Sequence, residues 1–168
     1  MEHKAFAFDW TAFERDLRPI LERALVDNEE APLRAFIETH RAELIDPYEG
    51  DPLPPEWEES LEAGDIQELA DFALTRFYDP QEAHGVGYAW IRLDDMLPPP
   101  AAAALLGKAV GPVENLFGPG RMGSYFQSPA QVRQSLTALA SISNPELADY
   151  RKLLERCAAE GCGLYVTF

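Results

Sequence analysis

Acid–base or metal chemistry in this chain would have to be assembled around three histidines, two of which have suggestive neighbours. His40 stands between Glu38 and Glu43. A metal site would need these groups on one helical face. His40 instead falls with Leu33, Phe36, Ile37 and Leu44 on an apolar stripe from which the two glutamates point away. The spacing also matches neither HExxH nor the ExxH of carboxylate-bridged metal helices. The expectation is a partly buried histidine bonded to a carboxylate or backbone group. His84 follows Asp79 and Glu82 in a turn, has Tyr78 close by, and precedes Gly85-Val86-Gly87. A general base could be assembled there. His3 is terminal and uninformative.

Nucleophiles and anion cradles fare less well. Ser124 and Ser128 flank Tyr125-Phe126, but there is no GxSxG elbow and no histidine follows in the chain. The loop from Gly118 to Ser124 contains Arg121 and glycines that could cradle an anion. Pro119 removes one amide donor, however, and neither phosphate-binding glycine pattern is present, so a connecting loop is expected. Cys157 and Cys162 are five apart, which is neither a redox CxxC nor half of a zinc site. They read as reduced thiols. Asp94 and Asp95 are adjacent and so point in different directions. Asp46, Glu49, Asp51 and Asp79 would converge on a cation if the two proline turns, Asp46-Pro47 and Asp79-Pro80, were neighbours; EF-hand spacing is absent. No metal or cofactor is expected.

Charge narrows the classes further. The 168 residues carry 14 Lys and Arg against 29 Asp and Glu, a net of −15. Nucleic acid and anionic membranes both demand cationic surface, so neither is an expected partner. The excess is concentrated: residues 27–71 hold fifteen acids and only Arg34 and Arg41, while residues 96–168 are slightly basic. Such a segment is either a solvated face that keeps the protein soluble or a surface for a basic protein partner. On the second reading the contact residues are Asp46, Tyr48, Glu49, Asp51, Trp57, Glu58, Tyr78 and Asp79, with Tyr48 and Trp57 as anchors framed by charge.

The elements that must position these residues follow from periodicity. Lys4–Trp10 alternates weakly as a strand, and Thr11 with Glu14 fits a capping box for a helix carrying Phe13, Leu17, Leu21 and Leu25, which Pro19 must kink or divide. Ala31–Ile45 is the cleanest amphipathic helix. Four prolines and a glycine make residues 46–55 a loop. A short helix over Glu56–Glu62 is anchored by Trp57 and Leu61. Asp65 caps the next, whose stripe is Ile66, Leu69, Ala70, Ala73 and Phe77. Phe72 and Leu74 lie off that stripe, so the helix has neighbours on more than one side. Gly85–Trp90 has no assignable period. After Pro98-Pro99-Pro100 a helix is expected over Ala101–Val110, then helices over Pro129–Ser141 (with Arg133 as its only charge, and so buried) and Pro145–Glu160. Gly163–Phe168 is a strand that could pair with the first. The expected fold is mainly α, one domain over 1–168 with a small terminal sheet and an internal boundary near 98–100; α+β is the alternative. No signal-peptide core or apolar run of membrane-spanning length is present, so a cytoplasmic location is expected.

Two stretches, Asp46-Pro47-Tyr48-Glu49-Gly50-Asp51-Pro52-Leu53 and Leu69 to Pro80 (LADFALTRFYDP), resemble segments of small acidic bacterial cytosolic proteins, some of them immunity proteins encoded beside polymorphic toxins. The resemblance implies a binding role and carries over no functional residue. Together with the charge it makes a non-enzymatic interaction module for a basic partner the expected function. The alternative is a small hydrolase or transferase with a pocket near His84 and Arg121, supplied by Tyr78 and Asp79.

Overall fold

The computed structural model describes residues 1–61, 65–120 and 122–168. The strands at the two ends of the chain lie side by side at the centre of a sheet. β1 (His3–Phe8) runs antiparallel to β4 (Gly163–Thr167), in the register Lys4 to Thr167 through Phe8 to Gly163. Two strands extend this pair. β2 (His84–Gly87) adds antiparallel to β1, and β3 (Ser124–Gln127) adds antiparallel to β4, giving the order β2-β1-β4-β3. The fold is therefore α+β; a sheet of terminal strands alone would have missed its two outer members.

Strand alternation sends side chains to opposite faces, and each face carries its own core. Phe6, Phe8, Phe126 and Tyr165 join one cluster, while Ala5, Leu164 and Val166 join the other. The first face is covered by α1 (Trp10–Ala12), a π-helical turn (Phe13–Leu17), α2 (Arg18–Asp27), α3 (Ala31–His40) and α4 (Ile66–Leu74). The second is covered by α5 (Trp90–Met96), α6 (Pro99–Ala103), α7 (Pro129–Leu139) and α8 (Ala148–Glu160). The chain first crosses between faces after Phe77 and before Val86. Pro98 lies further on and caps α6, Pro99 and Pro100 form its first two residues, and α5 and α6 serve the same core.

Local chemistry explains several boundaries. The first helix is capped by Asp9, whose carboxylate accepts from the Ala12 amide at 3.0 Å, and not by Thr11, which already lies inside it. Pro19 divides the helix as expected: the π-helical turn precedes it, and it occupies the first turn of α2, where a missing amide costs nothing. Asp65 caps α4 through the Gln67 and Glu68 amides. The helix expected to run to Ile45 ends earlier, passing through a 3-10 turn (Arg41–Glu43) into extended Leu44. The helix expected over Ala101–Val110 stops at Ala103. Lys108 instead exchanges two backbone bonds of 2.8 Å with Phe126 and so covers the outer edge of β3. α7 is amphipathic rather than buried: Val132, Ser135 and Leu139 face inward, and Arg133 and Gln134 face water.

β2 has no strand-like composition. Gly85 adopts φ +140°, and a Cβ there would come within 2.4 Å of the His3 carbonyl, so the close approach to β1 requires glycine. His3 is the residue this approach buries. Its Nδ1 accepts from the Val86 amide at 3.3 Å, which leaves Nε2 to donate to the Leu105 carbonyl at 2.6 Å. Burial lowers its pKa below the usual 6.5 despite the carbonyl contact. The unfolded chain therefore takes up a proton on acidification before the folded one does. Stability from this residue is intact above pH 6.5 and declines as pH falls below it toward the folded pKa. His3→Gln keeps a donor and an acceptor without a titrating ring. We expect it to remove that part of the acid-induced drop in urea midpoint.

Candidate functional site

The two proline turns are neighbours. The Gln81 side-chain amide, just after Asp79-Pro80, donates to the Gly50 carbonyl at 3.2 Å, in the loop that follows Asp46-Pro47. They do not pool their carboxylates as a cation site. Asp46 accepts from its own loop's Tyr48 and Glu49 amides at 2.8 and 3.0 Å, and Asp79 accepts from the Gln81 amide at 2.9 Å. These are side-chain-stabilised turns. Glu49 and Asp51 are exposed. No group of three metal-ligating side chains occurs among the described residues.

What the turns enclose is a cavity of about 240 Å³ against the first face of the sheet. Pro47 and Tyr48 form one wall, Tyr78 and Pro80 another, and Phe6 and Tyr165 from the paired central strands form the floor. Tyr78 packs 4.8 Å from Phe6 and 5.0 Å from Tyr165, ring centre to ring centre. Lys4, exposed and 3.7 Å from Glu2, sits at the rim, as do Gly120 and Phe168.

The ionisable group in this aromatic setting is Asp71 of α4, only 8% exposed. Every residue from Leu69 to Leu74 is buried, so a mid-helix position that would ordinarily face water is enclosed. The Tyr48 hydroxyl bonds the carboxyl and favours its charged form, but burial outweighs this, and Asp46 and Glu68 add repulsion. The result is a pKa pushed up to about 7. Tyr48, 63% exposed, has its own pKa raised by burial of its hydroxyl and by the same carboxylates. Burial likewise raises Tyr78 and Tyr165, the latter meeting the Ser124 hydroxyl at 3.3 Å. No cation pairs with Asp71 among the described residues.

The other sequence candidates are placed as follows. Trp57 is 1% exposed: its ring packs on Phe72 and its indole N–H donates to Glu38 at 2.6 Å. It is a core residue and presents no face to a partner, because the 3-10 turn Trp57–Ser60 folds it inward. Glu58 stays exposed and pairs with Arg34 at 3.0 Å. His40 is half-buried and meets Glu43 at 3.4 Å, so that glutamate turns toward it rather than away. Of the groups proposed for a hydrolytic pocket, Tyr78 lines the cavity and Asp79 is exposed at its turn. His84 is half-buried in β2, and Arg121 lies outside the described residues. Asp71 was not singled out from sequence. The available signal was an acid inside a helix that is apolar on more than one side.

No protein-family model, curated protein or solved structure matches this chain. Among the described residues no helix is long and apolar enough to cross a membrane.

Proposed function

We propose that this protein is a non-enzymatic binding module whose acidic half receives a basic protein partner. One observation carries the reading. The elements of residues 27–71 all pack into the core on the first face of the sheet: Leu33 and Ile37 of α3, Leu44 and Leu53 of the loop, and Leu69 and Ala70 of α4. The excess negative charge of that segment's described residues is thus gathered on one side of the molecule, while the helices on the other face come from the near-neutral remainder. Among the described residues, the arginines pair with only part of it. Arg34 holds Glu30 and Glu58 at 2.8 and 3.0 Å, and Arg76 holds Glu43 and Asp16 at 2.8 and 3.0 Å. Asp27, Glu29, Glu49, Asp51, Glu56 and Glu59 are exposed. Single-sign potential of this kind accelerates encounter with a cationic surface. The concrete form we favour is neutralisation of a toxin, such as a nuclease whose cationic substrate groove would be covered.

The test is capture of the partner from the native cell, followed by binding kinetics with the purified pair. We expect a basic protein whose association rate falls at least tenfold between about 0.05 and about 0.3 M salt. The double variant Glu56→Lys/Glu59→Lys should slow association further. A partner without excess positive charge, or an affinity indifferent to salt, would overturn the reading.

A further inference from the structure

The proposed acidic surface contains one place shaped for a single charge. We infer that the cavity between the two proline turns accepts the cationic tip of an arginine or lysine side chain, seated against the Asp71 carboxylate and walled by Tyr48, Tyr78 and Tyr165. This inference rests on the reading of the acidic half as a basic partner's docking surface and names what that surface grips.

The composition of the cavity selects the charge type. The enclosed carboxyl among its described lining residues is Asp71, and the two carboxylates that act on it, Asp46 and Glu68, share its sign. A guest anion would meet repulsion, and a neutral guest would leave the carboxyl uncompensated. A cation completes it. Tyrosine and phenylalanine faces attract cations through their ring quadrupoles, and Phe6, Tyr78 and Tyr165 supply such faces in mutual contact. A divalent metal is the poorer guest, since one carboxylate and phenols kept neutral by burial make few hard ligands. A guanidinium, weakly hydrated and planar, suits an aromatic wall and a carboxylate together. The volume of about 240 Å³ holds a side-chain tip and not a large ligand.

The guest would also change the protonation of its seat. Without a guest Asp71 ionises near pH 7, against Tyr48 and Asp46 from the loop, Glu68 from its own helix, Tyr78 from the wall, Tyr165 from the floor, and Lys4 at the rim. A bound cation favours the carboxylate, so binding at pH 6 should release up to one proton and should weaken on further acidification.

The experiment uses Nα-acetyl-arginine amide and its uncharged citrulline counterpart as probes of the full chain, with tyrosine shifts and calorimetry as readouts. We expect the arginine compound to bind with an affinity that weakens about tenfold from pH 6 to pH 5, with proton release seen as a buffer-dependent heat. The citrulline compound should not bind. Asp71→Asn, which keeps the shape and the Tyr48 contact, should cost at least tenfold. Equal binding of both compounds, or of wild type and Asp71→Asn, would overturn the inference. Glu56→Lys/Glu59→Lys separates the two proposals. It should weaken the basic partner and leave the arginine compound unaffected, because neither residue lines the cavity.

Discussion

Asp71→Asn is expected to stabilise the protein at pH 8, by up to about 4 kcal/mol, and to do nothing at about pH 3. The magnitude comes from linkage. A carboxyl that ionises near 4 in the unfolded chain and near 7 in the folded one withholds about 1.4 kcal/mol for each pH unit between them. The sign is opposite to that of most aspartates. Between pH 4 and 7 the unfolded chain has released this proton and the folded chain still holds it, so stability falls as pH rises through that window. Asparagine is neutral throughout and can still accept from the Tyr48 hydroxyl, so the difference between variant and wild type should open from zero at about pH 3 to its full value by about pH 8. In a chain of this length that corresponds to roughly 10 °C in Tm. Urea denaturation across the range measures it. A difference that does not depend on pH would show that Asp71 is not the titrating group. A buried acid with so perturbed a pKa, lining a cavity, is a candidate functional group, and that links this measurement to the cation site proposed above.

How much of this was legible beforehand depends on whether the signal lay within an element or between elements. β1 and β4 read as strands because Phe6, Phe8, Tyr165 and Val166 alternate or branch. α8 and the Asp65 cap read from periodicity and capping chemistry. β2 and β3 did not. His84-Gly85-Val86-Gly87 is a strand only because β1 lies close enough to exclude any side chain at Gly85, and Ser124–Gln127 offers four residues after a turn, too few for a period. Without them the sheet looked like a terminal pair and the fold like a helical one. The site shows the same division. Tyr48 and Tyr78 were visible as residues of proline turns, and the turns do meet. Asp71 looked like one more acid in an acidic stretch. Its enclosure is a tertiary event, made by the sheet face beneath α4 and the 46–55 loop closing over it. Trp57 failed in the opposite sense. An indole among glutamates reads as a contact residue, yet its N–H finds Glu38 and its ring finds Phe72 inside the core.

The second large effect expected is from Phe126→Ala, a loss of about 3–5 kcal/mol, which is a large share of the 5–15 kcal/mol typical of a domain. Phe126 is fully buried, and its ring lies where the elements of the first core converge. Phe13 from the π-helical turn stacks on it at 5.3 Å and 6°. Tyr165 of β4 lies at 5.1 Å, Phe8 of β1 at 5.4 Å, and Phe117 of the returning loop at 6.1 Å. Rings from separate strands and loops cannot all move inward, so the vacated space stays largely empty and the full cavity cost applies. Ile91→Ala, at a position 59% exposed, should change stability by no more than about 0.5 kcal/mol in the same assay. The effect should also reach the candidate site. Tyr165 is held between Phe126 on one side and Tyr78 on the other, so removing Phe126 frees the floor of the cavity. Affinity for Nα-acetyl-arginine amide should then fall even at a temperature where Phe126→Ala remains folded. A loss below about 1.5 kcal/mol would mean that the core closes over the gap and that the aromatic cluster does not set the shape of the cavity it supports.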